Sequence, residues 1–256
     1  MVRRTVYLHG LPGSPAELSL AGAGSAWRDP ALVFAPDRSA LAEGLPELAR
    51  QIAARAGNDP IDLIGFSLGA AAALRLAPLL GKHVTRIDLI APAAPLSLGD
   101  FLPDMAGGAL FGMARDRPGL FGLVCRVQGL AARLAPALLV KALLADTRGG
   151  DAELARQLEF RALLAAILRQ TFANGSGAYR AEIAGYVSDW ASALDAVTQR
   201  VTIWQGDQDN WVPPAMAQAL AARLPGPVRL ELLPGLSHYS ALQNFLTRFS
   251  PGDSRP

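Results

Sequence analysis

One five-residue stretch, Gly65-Phe66-Ser67-Leu68-Gly69, constrains this 256-residue chain more than any other. Ahead of it, Ile61-Asp62-Leu63-Ile64 reads as a short buried strand; behind it, the alanine- and leucine-rich run Ala70 to Leu80 reads as a helix. A serine at the corner of a strand-to-helix turn, with glycine two residues to either side, is the nucleophile-elbow pattern. So tight a turn leaves no room for a side chain at either glycine, and glycine also tolerates the strained backbone. The serine hydroxyl then stands above the end of a sheet, at the positive end of the next helix. The plainer reading is a serine that caps a helix. Choosing between the two requires a base and an acid from elsewhere in the chain.

The flanking sequence supplies the sheet. Thr5-Val6-Tyr7-Leu8 reads as a strand running into His9-Gly10-Leu11-Pro12-Gly13, and Ala31-Leu32-Val33-Phe34 as a second strand ending in Ala35-Pro36-Asp37-Arg38. Leu45 to Ala56 has helical spacing and stops at Gly57-Asn58-Asp59-Pro60. After the elbow helix comes the strand Arg86-Ile87-Asp88-Leu89-Ile90. Strands alternating with helices imply an α/β fold, a mostly parallel central sheet with helices on both faces. The alternation breaks at Ala91-Pro92-Ala93-Ala94-Pro95, and for about a hundred residues the pattern is helical only, clearest over Leu130 to Ala145, Ala152 to Leu168 and Ala178 to Leu194. Strands resume at Val201 to Trp204 and Val228 to Leu233, followed by helices at Pro214 to Leu224 and Tyr239 to Phe249. The expected organisation is a core of residues 1–94 and 199–256 with a helical insertion over 95–198.

Composition narrows the function classes. Half the residues are hydrophobic, which excludes a disordered chain. The 24 basic and 22 acidic side chains nearly cancel and form no basic run, so nucleic acid is not an expected partner. The amino-terminal apolar run is too short for a secretory signal. Arg126, Arg133 and Lys141 interrupt the best candidate for a membrane span, so stable membrane insertion is not expected either. Cys125 is the single cysteine, which rules out an internal disulfide. These features point to a soluble cytoplasmic protein acting on a small molecule, with no metal and no cofactor.

Two loops complete the pattern. Gln205-Gly206-Asp207-Gln208-Asp209-Asn210-Trp211-Val212-Pro213 follows the resumed strand, and Pro234-Gly235-Leu236-Ser237-His238 follows the last one. Both fall at the same end of the sheet as Ser67, in the chain order Ser, Asp, His. With the His9-Gly10 turn, the Ala35-Pro36-Asp37-Arg38 loop and the elbow, the sequence resembles the α/β-hydrolase fold family, in the branch with a helical cap between two strands. It departs from the family in leaving no room for strands ahead of Thr5, and in having Ser39-Ala40 where glycine is common.

The roles follow chemically and by resemblance. A serine hydroxyl needs a base within reach at neutral pH. The resemblance makes Ser67 the nucleophile and His238 the base. Asp209 matches the family spacing for the acid, ahead of Asp207, which reads as a solvated turn residue. The resemblance also makes the N–H groups of Leu68 and Leu11 the oxyanion donors; Pro12 has no N–H to offer. His83 reads as a surface residue, and the resemblance implies that His9 is a buried structural one. The expected activity is a cofactor-free serine hydrolase for a carboxylic ester of a small to medium, largely apolar substrate. The same residues would serve an acyltransferase, a lactone, thioester or carbon–carbon bond hydrolase, or a receptor that has lost catalysis. Ser67 argues against the aspartate-nucleophile branches. The apolar front of the insertion (Phe101, Leu102, Met105, Leu110, Phe111, Met113, Leu120, Phe121, Leu123) reads as acyl-pocket lining, as packing onto the core, or as membrane contact.

Overall fold

The computed structural model describes residues 3–36 and 44–253. Asp37 and Arg38, and with them Ser39-Ala40, lie outside the described residues. Six strands form one sheet in the order β2-β1-β3-β4-β5-β6, and every neighbouring pair is parallel. They are β1 (Arg4–Leu8), β2 (Val33–Phe34), β3 (Ile61–Phe66), β4 (Val84–Ile90), β5 (Arg200–Gly206) and β6 (Val228–Leu233). All six residues of β3 are buried, as a central strand covered on both faces requires.

The chain runs from β1 outward to β2, then returns past β1 to β3 and continues the other way. Right-handed crossovers put connections of opposite direction on opposite faces. Accordingly α1 (Leu45–Ala56) and α2 (Leu68–Leu80) pack together on one face. The 3₁₀ turn Pro15–Ala21 and α10 (His238–Arg248) pack together on the other. Trp27 ties this second layer down, its Nε1–H donating to Leu246 O (2.9 Å) and Phe249 O (2.7 Å) at the end of α10. The reversal of strand order lies between β1 and β3, and the crevice at the carboxyl ends there is where an open parallel sheet binds its ligand.

The second strand is shorter than its sequence suggests. Ala31 N donates to the Asp29 carboxylate, and Leu32 N and Val33 N both donate to Asp29 O. This turn takes up the N–H groups that a longer strand would have given to β1.

Between β4 and β5 the chain makes six helices and no strand: α3 (Gly108–Asp116), α4 (Pro118–Leu134), α5 (Pro136–Leu143), α6 (Gly149–Leu154), α7 (Leu158–Thr171) and α8 (Gly177–Val187). The run read as one helix from Leu130 to Ala145 is broken at Ala135, which Pro136 holds away from helical backbone. The run from Ala152 to Leu168 divides because α6 packs on α10 whereas α7 packs on α5. Glycines inside α3 and α4 allow close packing: a Cβ on Gly108 would sit 1.9 Å from Leu102 O. The segment is fastened to the sheet's carboxyl end by Tyr186 Oη–H to Ala94 O, Asn210 Nδ2–H to Asp146 O and Ala106 N–H to Asn210 O. The last layer comprises α9 (Pro214–Arg223), against β5 and β6, and α10.

Candidate active site

Steric exclusion builds the turn at Ser67. A Cβ on Gly65 would lie 2.6 Å from Ala70 Cα, and one on Gly69 2.0 Å from Leu8 O. Glycine at the first position therefore lets α2 turn back on β3, and glycine at the second lets α2 lie against β1. Ser67 itself has φ +56°, a left-handed conformation that costs a non-glycine residue of the order of 1 kcal/mol or more. It is held there by Ser67 N–H to Ile90 O (3.0 Å) and Ala93 N–H to Ser67 O (3.2 Å). Its side chain makes no capping hydrogen bond, so the helix-cap reading of this serine does not hold.

Asp209 and His238 meet from two separate loops. The imidazole Nδ1 lies 2.8 Å from Asp209 Oδ2, and both side chains are almost completely buried. The other carboxylate oxygen accepts from Trp211 N (2.8 Å) and Val212 N (2.9 Å), which fixes the carboxylate's orientation. Asp207 is exposed and accepts from Gly235 N (2.8 Å), bracing the two loops against each other. The aromatic ring of Phe66, the residue before the serine, packs 4.7 Å from the imidazole, and Trp211 stacks on it at 5.8 Å and 14°. Among the described residues no hydrogen bond joins Ser67 Oγ to His238.

Two further buried carboxylates surround this imidazole. Asp151, from α6, accepts Tyr239 N–H (3.0 Å) and Ser240 N–H (2.7 Å), so it caps the first turn of α10, which begins at His238. Glu17, fully buried, accepts Tyr7 Oη–H (2.7 Å) and Gly10 N–H (3.1 Å). Burial alone would push the His238 pKa down. The Asp209 carboxylate, through charge and hydrogen bond, and then Asp151 and Glu17 outweigh it, and the net direction is up. Burial raises the Asp151 carboxyl, against the pull of the Ser240 hydroxyl, the two N–H donors and His238.

Ser67, Leu68 and Leu11 open on one cavity of about 110 Å³. Its remaining walls come mainly from the helical segment: Leu110 and Phe111 of α3, Leu139 and Leu143 of α5, Leu168 of α7, Tyr179 and Ile183 of α8. Gln128 of α4 adds an amide whose Oε1 is buried without a hydrogen-bond partner among the described residues. Neither Leu11 N–H nor Leu68 N–H donates to a protein acceptor among the described residues. Two free backbone donors beside a serine can receive an oxyanion.

The apolar front of the segment divides three ways. Met105, Leu110 and Phe111 line the cavity, Phe101 and Phe121 are buried in the packing, and Leu120 and Leu123 face outward. His9 is buried, with Nδ1 2.8 Å from Gly10 O, and His83 is half-buried on the turn after α2. Cys125 is fully buried, which pushes its thiol up to about 11 and keeps it protonated at neutral pH. Among the described residues no group of three or more His, Cys, Asp or Glu could hold a metal ion. Asp151, Glu17, Gln205 and Trp211 had no distinguishing sequence signal. Gln205, whose Nε2–H donates to Gly206 O and Val212 O and reaches Asp209 Oδ2 at 3.4 Å, was only the residue after a strand.

No curated protein sequence matches the chain. Solved structures match over nearly its whole length. A bromoperoxidase from Bacillus anthracis superposes with a TM-score of 0.66 at 15% identity, covering 97% of this chain and 89% of its own. A hydrolase from Oleispira antarctica gives 0.61 at 19%, covering 96% and 88%. An esterase from Exiguobacterium antarcticum gives 0.57 at 17%, covering 95% and 91%. At such identities the likeness is one of fold. The sequence itself matches the model of the alpha/beta hydrolase family from residue 5 to residue 245, a span that takes in the elbow, the aspartate loop and the histidine loop together. With that match spanning the sheet and its loops, the chain belongs to the alpha/beta hydrolase family.

Proposed function

We propose that the protein is a serine hydrolase cleaving carboxylic esters of small to medium, largely apolar acids. The observation that carries this reading is the buried Asp209–His238 pair, packed against the elbow that holds Ser67 at the mouth of an apolar cavity. His238 Nε2 takes the Ser67 hydroxyl proton as Oγ attacks the ester carbonyl carbon. The carbonyl oxygen becomes an oxyanion held by Leu11 N–H and Leu68 N–H. The tetrahedral species collapses, the carbon–oxygen bond to the alcohol breaks, and His238 returns its proton to the leaving oxygen. Water then repeats the sequence on the acyl-enzyme, releasing the acid and restoring Ser67. Asp209 holds Nδ1–H so that Nε2 faces the serine, and it stabilises the imidazolium. The helical segment over 95–198 serves as the cap that lines the acyl side of the cavity.

A fluorophosphonate probe tests the nucleophile. It labels Ser67 covalently in the parent, and Ser67→Ala loses both the label and turnover by several orders of magnitude. Undiminished hydrolysis by the alanine variant would refute the mechanism. An acyl series of nitrophenyl esters, with and without an alcohol acceptor, then reads out chain preference and separates hydrolysis from acyl transfer. Each methylene buried contributes about 0.8 kcal/mol, so kcat/KM climbs roughly fourfold per carbon until the cavity is full.

A further inference from the structure

The outer face of the helical segment carries an apolar stripe. Leu120, Leu123, Val127, Leu130 and Leu134 recur along α4 in steps of three and four, and Leu138 continues the row onto α5. At about 100° per residue, the α4 members occupy a face roughly 80° wide. The helix's buried residues, among them Phe121, Cys125 and Gly129, lie on the opposite side. The stripe is 44% exposed at Leu120 and 76% at Leu134. Isolated surface leucines are ordinary, whereas five in a row along one helix face, with Leu138 just beyond its end, mark a docking surface.

Charge selects the occupant. From residue 117 to residue 145 the charged side chains are Arg117, Arg126, Arg133 and Lys141, with no aspartate or glutamate between Asp116 and Asp146. All four are exposed, and Arg126 and Arg133 line one flank of the stripe two turns apart. A second copy meeting the stripe on α4 would set Arg126 and Arg133 against their own copies, with no aspartate or glutamate on that helix between them, and like charges across an interface are repulsive. A lipid surface with anionic headgroups offers negative charge and an apolar interior side by side, which an apolar helix face edged with arginine fits. The two helices meet at a bend of 117°, and among the described residues no single helix is long and apolar enough to cross a membrane; a one-sided stripe with arginines along its flank is the pattern of a helix lying in the interface plane. Gln128, Leu139 and Leu143, on the same two helices, line the cavity. The stripe therefore forms the outside of the active-site wall.

We propose that the α4–α5 face docks on an anionic lipid surface, from which the protein draws a lipid-resident ester. The docking stands on the stripe and its cations; the choice of substrate rests on the hydrolase reading of Ser67. The test is flotation of the full chain, as the Ser67→Ala variant, with vesicles of phosphatidylcholine alone or with added phosphatidylglycerol. The protein floats with the phosphatidylglycerol vesicles and detaches as salt is raised. Arg126→Gln and Arg133→Gln each weaken binding roughly fivefold. The double change Leu130→Ser with Leu134→Ser abolishes flotation. On the Ser67 background it leaves the melting temperature and the turnover of soluble nitrophenyl acetate at the parent level. Absence of flotation with the phosphatidylglycerol vesicles overturns the proposal. So does a dimer in light scattering that the same serine changes dissociate, since a second copy would then own the stripe. Missing fluorophosphonate label on the parent strikes only the hydrolase reading, because flotation is scored without turnover.

Discussion

Asp209 and Asp207 sit two residues apart in one loop and do different work. The first is buried with its oxygens divided between two backbone N–H groups and His238; the second is exposed and braces Gly235. Asp209→Asn should keep the melting temperature near the parent's and reduce kcat on the order of ten-thousand-fold, whereas Asp207→Asn should cost less than tenfold. Reversed effects would give the imidazole to Asp207. Asp151 acts at one remove. Its charge offsets the positive end of α10, where an imidazolium would otherwise be disfavoured. Asp151→Asn removes that charge, so the His238 pKa should fall. With three histidines in the chain, imidazole NMR titration can follow it directly, and an unmoved His238 titration would remove Asp151 from the electrostatics of the site. Asp209 was singled out in the sequence because its place in the loop after the strand matches the family spacing. Asp151 was not, because it lies 88 residues before the Tyr239 N–H it caps and reads there as one more charge on a helix.

Elements differ in how much of their reason is local. The strand, elbow and helix from Ile61 to Leu80 are set by a buried apolar run, two glycines and an alanine-rich stretch, all visible in the sequence. The glycines also make a sharp test of the packing. At Gly69 an added methyl meets the carbonyls of Leu8 and His9, which β1 cannot yield without moving the Leu11 loop. Gly69→Ala should therefore destabilise by about 3 kcal/mol, read from the urea midpoint at constant slope, and lower kcat together with stability. A parent-like midpoint would mean that α2 and β1 are not so closely apposed. The helices between β4 and β5 were less legible, since their ends are set by partners. A single helical pattern divides where α6 turns to α10 and α7 to α5, and the glycines of α3 and α4 answer to Leu102, Arg180 and Phe172, residues distant in sequence or in other elements. Apolar character alone likewise could not separate Phe111, on the cavity, from Phe121, inside the packing, or from Leu123, on the surface.

Across the whole molecule, the imidazole proposed as the base is also a titrating group of the folded core, and the two roles have opposite pH dependence. His238 is buried among Asp209, Asp151 and Glu17, and its pKa is raised on folding. The other elements packed on α10 add Asp88 of β4, which is engaged by Trp204 Nε1–H and lies 3.3 Å from Arg86, and α10's own Arg248 stands in its last turn. A group that binds its proton more tightly in the folded state contributes stability that is complete below the unfolded pKa and is lost as pH rises through the folded one. Asp151, whose carboxyl is also raised, adds the same sign at lower pH. Turnover runs the other way, because only the neutral imidazole can accept the Ser67 proton. Raising the pH through the His238 transition should therefore increase kcat/KM while stability declines by at most about 1.4 kcal/mol per pH unit. The kinetic midpoint should lie above that of an ordinary histidine. Urea unfolding across the same pH range measures the second limb, and His238→Gln should remove that decline along with the activity. Stability that climbs with pH through the kinetic midpoint would mean that some other group governs the rate.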